Sequence, residues 1–228
     1  MTHDVIPLFP TPLFVAEIQG FTNEELEFVK QSSLYSRYKD EPGRCVGSDR
    51  FDIIHLPEMS RVCDFVQTQL NLYAREVMSI SNQLFPTISW LNRTTTGAYH
   101  YQHHHVNSIV SGVLYFTEDP APIEFHTDKN CVWGPLKMFP TKYNQYNTHS
   151  NTVEIKLGTL LIFPSYLEHS VVRSIADTDR ISLSFNTWID GTIGLLDKTS
   201  FLNLDAPTLK FEPKDNLDVL IERQRLQK

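Results

Sequence analysis

Residues 88–116 read ISWLNRTTTGAYHYQHHHVNSIVSGVLYF and decide the fold of this chain. β-branched and aromatic residues form short runs here, and glycine or polar residues separate them, which is typical of strands joined by turns. The pattern continues to Ile189 and favours a mainly β jelly roll or related barrel over a parallel sheet. The eight predicted strands are Ile88–Thr94, Ala98–His103, Ser108–Phe116, Ile123–His126, Thr152–Leu157, Thr159–Phe163, Ser170–Arg173 and Arg180–Ile189.

The residues before this barrel are predicted to form a helical cover, over about 1–85. Thr22 can cap a helix of about ten residues, and Glu25 three positions later completes a capping box. A second helix is predicted from about Pro57 to Met78, because apolar residues recur there at three- and four-residue steps. We therefore expect one α+β domain over 1–194, with the barrel at about 88–189. The tail, 195–228, has apolar spacing that suits a short helix.

The amino-acid composition of the chain argues against several classes of protein. The 228 residues include 20 Lys and Arg against 27 Asp and Glu, a net charge of −7, which argues against nucleic acid as a partner. No window approaches 18 apolar residues, so no membrane partner is expected. Asp4 and several prolines interrupt the region where a signal peptide needs an apolar core, and the three cysteines lack C-x-x-C spacing. We expect a cytoplasmic protein, and a homodimer remains open.

Three consecutive histidines, His103, His104 and His105, are the strongest chemical signal. Because successive side chains on a strand point to opposite faces, His103 and His105 would share one side and His104 the other. Such a pair can bind a metal ion with two nitrogens. The best candidate for a third ligand is His169, in the stretch GTLLIFPSYLEHSVV.

A basic residue follows on the last predicted strand. Arg180 would lie on the same face as Ser182, Ser184 and Asn186, opposite a set of apolar residues. An arginine that points into a barrel needs an anion, because an unpaired buried charge is costly. A dicarboxylate cosubstrate is a natural partner, since the guanidinium group can bind a carboxylate through two hydrogen bonds.

Two spaced motifs resemble those of the cupin and double-stranded β-helix superfamily. In the first, five residues separate Gly97 from His103-x-His105; in the second, five residues separate Gly158 from Pro164-x-Tyr166-x-x-His169. With Arg180 eleven residues after His169, the chain resembles the 2-oxoglutarate and Fe(II)-dependent oxygenase superfamily. The closer resemblance is to prolyl-hydroxylase-like members found in phages and marine bacteria. It is carried by IPLFPTPLF, SWLN, HHHVNSIVSGVLYF, GTLLIFPSYLEHSV and RISLSFNTWIDGTIG.

This resemblance implies an enzyme that hydroxylates a C–H bond of an amino-acid, peptide or small-molecule substrate and releases succinate and CO2. Fe(II) would be held by His103, His105 and His169, with 2-oxoglutarate and O2 as cosubstrates and no catalytic residue beyond the metal site. Arg180 would bind the distal carboxylate of 2-oxoglutarate. Its expected neighbours are Tyr115, Ser182 or Ser184, Asn92 and Asn186. The loop Gly134–Asn151, together with Trp133, Tyr143 and Tyr146, would cover the substrate.

One departure from the superfamily pattern leaves alternatives open. The usual ligand set is two histidines and a carboxylate, and His105 occupies the carboxylate position. The interpretation we favour is that three histidines bind the iron directly. The first alternative is that water or chloride takes the place of His105 at the iron. The second is that Asp128, from a loop, supplies a carboxylate ligand. A three-histidine cupin enzyme that does not use 2-oxoglutarate, and a non-catalytic jelly-roll binding module, are the competing functional hypotheses.

Overall fold

Eleven β-strands form two antiparallel sheets in the structure, a computed structural model that describes residues 2–118, 121–127, 139–194 and 199–204. The larger sheet has the order β1-β9-β6-β11-β4-β3-β2, and the smaller one has the order β5-β10-β7-β8. These sheets confirm the predicted mainly β jelly roll. In chain order the strands are β1 (Phe14–Glu17), β2 (Tyr35–Arg37), β3 (Val46–Ser48), β4 (Leu84–Thr94), β5 (His100–His103), β6 (Val110–Tyr115), β7 (Ile123–His126), β8 (Ser150–Val153), β9 (Thr159–Pro164), β10 (His169–Val171) and β11 (Arg180–Ile189).

Strand β11 lies between β4 and β6 and organises the larger sheet. Its side chains alternate between the two faces of the sheet, as the sequence predicted. Ser182 and Ser184 line a pocket, whereas Leu183 and Phe185 are fully buried. Phe185 is the register partner of Gly112 on β6, and a Cβ added to Gly112 would lie 2.2 Å from the Phe185 ring. The missing side chain of this glycine makes room for the aromatic ring.

The predicted strands are found, with differences mainly at their ends. β7 and β11 have the predicted bounds. The strand expected at Ala98–His103 begins at His100, and the strand expected at Thr152–Leu157 lies earlier, at Ser150–Val153. Gly158, whose φ is +84°, makes the turn into β9.

The segment before the barrel contains both predicted helices. Helix α1 (Asn23–Lys30) begins at the predicted capping box, in which Thr22 and Glu25 exchange hydrogen bonds of 2.8 and 3.2 Å. Helix α2 (Ser60–Leu72) follows a 3-10 turn and continues into a π-helical turn at Tyr73–Val77. The prediction of a purely helical cover is incomplete, because β1, β2 and β3 also join the larger sheet. Strands of three or four residues are too short to show a clear alternating pattern.

The chain divides into two compact units, Met1–Asp190 and Gly191–Lys228. The described residues of the second unit contain an antiparallel hairpin, β12 (Gly191–Ile193) and β13 (Leu202–Leu204). The boundary predicted at residue 194 falls four residues beyond this division, and the short helix predicted for the tail lies outside the described residues. In the part of the chain that the structure describes, no helix has the length and apolar character needed to cross a membrane.

Candidate metal centre and adjoining pocket

A pocket with a cavity volume of about 50 Å³ is lined by residues from both sheets of the barrel. Its lining includes four histidines, an arginine and two serines. The larger sheet supplies Trp90, Asn92, Val113, Arg180, Ser182 and Ser184; the smaller sheet supplies His100, His103, Ile123, His169 and Val171; Cys45 and His105 come from connecting segments.

Three of the predicted residues, His103, His105 and His169, come together in this pocket. One ring nitrogen from each lies within 4.8 Å of the other two. His103 ends β5, and His169 begins β10 directly opposite it in the register. His105 lies two residues beyond the end of β5, and its backbone N–H donates to the Ser165 carbonyl at 2.9 Å.

The Nδ1 atom of each of these histidines has an oxygen acceptor. That of His103 lies 2.7 Å from the Tyr101 carbonyl, and that of His169 lies 3.0 Å from the Leu167 carbonyl. The acceptor for His105 is the side-chain oxygen of Asn186, at 2.5 Å. A neutral imidazole that donates through Nδ1–H leaves Nε2 free to bind a metal. These partners therefore favour the metal-binding tautomer of all three rings.

Burial keeps these imidazoles uncharged. The pKa of His169 is lowered to about 2 and that of His105 to about 4, mainly because the rings are removed from water. Neighbouring histidines contribute a smaller part of each decrease. Burial likewise lowers the pKa of His103. Metal ions bind the neutral form of histidine, and imidazole nitrogens suit divalent iron and similar transition metals. The donor set therefore fits such an ion.

His100 is a pocket residue that the sequence analysis did not single out. Strict alternation along β5 would place His100 and His103 on opposite faces. In the register, however, His103 is opposite His169 and His100 is opposite Val171, so the two residues between the histidines on β5 match a single residue of β10. This β-bulge turns both histidines towards the pocket, and their Nδ1 atoms lie 3.2 Å apart. A bulge leaves no signal in hydrophobic periodicity.

Arg180 occupies the pocket as a buried cation, with 3% of its surface exposed. Its Nε–H donates to the Ala121 carbonyl at 3.0 Å, and its Nη atoms lie 3.3 Å from Tyr115 Oη and 3.4 Å from Ser182 Oγ. Among the described residues no carboxylate lies within 4.0 Å of Arg180, and Asp179 pairs instead with Arg93 at 3.7 Å. The guanidinium group therefore has donors available for an anion.

Some of the other predicted site residues lie in the pocket and others lie outside it. Asn92 lines the pocket and donates to Ser184 Oγ at 3.0 Å, whereas Asn186 is engaged with His105. Tyr143 is 71% exposed, and neither it nor Tyr146 lines the pocket. Trp133 and Asp128 lie outside the described residues.

Trp90 is a second residue that the sequence analysis did not assign to the site. Its ring stacks on His105 with centroids 5.6 Å apart. Trp90 lies on β4 opposite Ser184 of β11, one of the residues predicted to face the pocket. The strand pairing would have identified it, but the sequence does not reveal which strands are neighbours.

Comparison with known proteins identifies the barrel. The model of a family described as "Putative 2OG-Fe(II) oxygenase" matches residues 88–186, a range that contains the three histidines and Arg180. This range is the barrel, which matches that of a 2-oxoglutarate and Fe(II)-dependent oxygenase. This confirms the predicted superfamily, its use of Fe(II), 2-oxoglutarate and O2, and its enzymatic character. The narrower resemblance to phage and marine bacterial members stays a prediction.

Solved structures with low sequence identity share the fold of this oxygenase. The epimerase SnoN from nogalamycin biosynthesis has a TM-score of 0.57 at 12% identity, over 80% of each chain. A prolyl-4-hydroxylase from Pseudomonas putida has a TM-score of 0.51 at 14% identity, over 77% of this chain and 92% of its own. HygX from Streptomyces hygroscopicus, solved with nickel and 2-oxoglutarate, has 0.51 at 15% identity, over 78% and 82%. No curated protein matches the oxygenase significantly.

Proposed function

We propose that this oxygenase hydroxylates a C–H bond of an amino-acid, peptide or small-molecule substrate, with Fe(II) held by His103, His105 and His169. In this proposal Arg180 binds the distal carboxylate of 2-oxoglutarate. The observation that carries it is that Arg180, a buried cation without a carboxylate partner among the described residues, lines the same pocket as the three histidines.

The surroundings of Arg180 support a carboxylate ligand. A buried charge is costly unless it is paired, and a guanidinium group can bind a carboxylate through two parallel hydrogen bonds. The Ala121 carbonyl holds the Nε side, and the ring of Tyr115 lies 4.8 Å from the guanidinium carbon. These contacts orient the Nη atoms, while the hydroxyl groups of Tyr115 and Ser182 lie close enough to assist.

The family indicates which part of the reaction the iron would perform and which part the protein would perform. When bound, Fe(II) supplies the oxidative chemistry with O2, which couples conversion of 2-oxoglutarate to succinate and CO2 with oxidation of the substrate. The chain's own residues bind and orient the metal ion and the cosubstrate. The histidines would hold the ion, Arg180 would fix the cosubstrate, and the apolar side chains of Val113, Ile123 and Val171 would limit access of water.

The substrate class rests on the acidic chain and the shared fold. One HygX structure contains hygromycin B, a small molecule, and another relative is a prolyl-4-hydroxylase. Both support a small-molecule or peptide substrate. SnoN is described as an epimerase and SnoK as a carbocyclase, so hydroxylation has to be tested against other oxidations. The net charge of −7 supports the prediction that nucleic acid is not a partner, and a homodimer stays a prediction.

An anaerobic titration tests the cosubstrate assignment. Purified protein is loaded with Mn(II) under argon and titrated with 2-oxoglutarate, with the fluorescence of Trp90 and the other tryptophans as one signal and heat as another. We expect saturable binding that requires the metal. Air and Fe(II) should then yield succinate that depends on added 2-oxoglutarate.

Two outcomes would contradict the proposal. Metal binding without any binding of 2-oxoglutarate would favour a three-histidine cupin enzyme that does not use this cosubstrate. Absence of metal binding would favour a non-catalytic jelly-roll module. Analysis of substrate products by mass then separates hydroxylation, which adds one oxygen atom, from epimerisation, which adds none.

A further inference from the structure

We propose that Asn186 is a positioning residue that fixes His105 in its metal-binding tautomer, and that the Ser111 hydroxyl, within a cluster of serine hydroxyls, holds Asn186 in the required orientation. This inference rests on the proposed function, because it takes His105 as a metal ligand. A histidine at this position introduces a requirement that a carboxylate does not have. Its ring nitrogens are inequivalent, and only the unprotonated one can bind a metal.

The hydrogen bonds around Asn186 form a continuous chain. Asn186 Oδ1 lies 2.5 Å from His105 Nδ1 and 2.9 Å from Ser111 Oγ. Ser111 Oγ lies 2.8 Å from Ser165 Oγ, which lies 2.8 Å from Ser108 Oγ. Ser108 Oγ accepts from the backbone N–H of Thr187 at 3.1 Å. The chain thus begins at a backbone donor and ends at a ring nitrogen.

The hydrogen bonds of this cluster show which hydroxyl donates to Asn186. Ser108 Oγ accepts from the Thr187 amide and from Ser165 Oγ, and its own hydroxyl donates to the Val110 carbonyl at 2.9 Å. The Ser111 hydroxyl donates to Asn186 Oδ1 at 2.9 Å.

The Ser111 donor determines the state of His105. An Asn186 oxygen that accepts from Ser111 also faces the imidazole, so His105 must donate through Nδ1–H and leave Nε2 unprotonated. A flipped Asn186 amide would present its NH2 group to the ring. His105 would then accept at Nδ1 and carry its proton on Nε2, where it could not bind a metal. The Ser111 donor and the metal-binding tautomer are therefore compatible in a single orientation of Asn186.

The fold supports this role from two sides. Asn186 is the register partner of Ser111 in the β11–β6 pair, which explains their contact, and it is 7% exposed. Ser165 also accepts, through its carbonyl, the backbone N–H of His105 at 2.9 Å. The same serine thus anchors the backbone of His105 directly and its side chain through the chain of hydroxyls.

Metal affinity of the full-length protein tests the inference without any turnover. Co(II) is added to metal-free protein, its affinity is measured by competition with a chelator, and its visible absorption reports the ligand set. Asn186→Leu has similar volume but no acceptor, and we expect about 10- to 100-fold weaker Co(II) binding with an altered spectrum. Asn186→Asp keeps an acceptor and adds a negative charge beside His105, so it should bind Co(II) at least as well as wild type.

Asn71→Leu is the matched control. Asn71 lies on α2 outside the pocket, and its Oδ1 accepts from the Gln67 side chain at 3.0 Å. Its Co(II) affinity should equal that of wild type. Should Asn186→Leu fail to fold, Ser111→Ala removes the hydroxyl donor and leaves Asn186 in place, and it should weaken Co(II) binding several-fold.

The outcomes separate this inference from the proposed function. Failure of the wild-type protein to bind Co(II) would overturn the metal site itself. Wild-type binding with equal affinity in folded Asn186→Leu would overturn only the role of Asn186. If Asn186→Asp binds as weakly as Asn186→Leu, the hydrogen-bond acceptor is not what matters. Unchanged affinity in Ser111→Ala would overturn the role of the Ser111 hydroxyl.

Discussion

His103 and His169 are direct partners across β5 and β10, with ring centroids 4.4 Å apart. β10 pairs with β7 on its other side, so His169 lies within the smaller sheet while His103 lies on its edge strand. The spacing of these two rings is therefore set by strand pairing. His105, beyond the end of β5, is held instead by the backbone hydrogen bond to Ser165 and by the contact of its ring with Asn186.

Loss of either paired histidine should abolish metal binding. His103→Ala or His169→Ala leaves two ring nitrogens where three converge, so we expect purified protein with little bound metal after loading with Fe(II) or Mn(II) under argon. His104→Ala is the matched control, since its exposed side chain lies outside the pocket. Elemental analysis measures all three. Full metal content in the His103 and His169 variants would exclude these residues as ligands.

Replacement of Arg180 should separate cosubstrate binding from folding. Arg180→Met removes a buried charge and keeps the length of the side chain, so the fold should persist, while 2-oxoglutarate should bind at least about 30-fold more weakly. Arg93→Met is the control, because Arg93 pairs with Asp179 and its guanidinium Nη2 donates to the Lys30 carbonyl away from the pocket. Calorimetric titration of the Mn(II)-loaded proteins gives both affinities. Equal losses in the two variants would argue against a specific carboxylate site.

The metal-free protein should lose stability as the pH falls below the usual histidine range. In the unfolded chain His169 takes up a proton near pH 6.5, whereas burial keeps its pKa at about 2 in the folded state. Acid therefore favours the unfolded state between these values, by about 1.4 kcal/mol per pH unit for this group. Urea unfolding at pH 7, 6 and 5 should give a steeper decline for wild type than for His169→Phe. Parallel declines in the free energy of unfolding of the two proteins would contradict this prediction.

Gly112 should not tolerate a side chain. A Cβ at this position would lie 2.2 Å from the Phe185 ring, which is fully buried. We expect Gly112→Ala to lower the free energy of unfolding by about 1–3 kcal/mol, as overpacking does in other cores. Thermal unfolding measures the change. Phe185→Leu should relieve part of the clash, so the double variant should be less destabilised than the sum of the two single variants.

The sequence predicted the parts of the fold whose signals are local. The capping box of α1 involves residues three apart, and the long strand β11 alternates over ten residues, so both are readable from the chain. Strands β2 and β3 have three residues each and show no clear pattern of their own; β3 is stabilised by pairing with β4, and β2 in turn pairs with β3. Such pairing joins residues far apart in the sequence.

The same distinction holds for the site. His103, His105, His169 and Arg180 could be predicted because their spacing resembles known motifs. His100 could not, because a bulge turns it inwards against the expected alternation. The contact between His105 and Asn186 spans 81 residues, and residue type alone had suggested that Asn186 contacts the cosubstrate. Roles that depend on tertiary hydrogen bonds could be recognised only from the structure.

The bulge in β5 also has a consequence for how this pocket can change by mutation. Because one extra residue is accommodated between His100 and His103, a deletion of Gln102 would leave the two histidines two residues apart, and regular alternation would then keep both of them on the pocket face. In a regular strand the loss of one residue would instead exchange the faces of all residues on one side of the deletion. The bulge therefore lets this strand lose one residue without losing the histidine lining of the cavity.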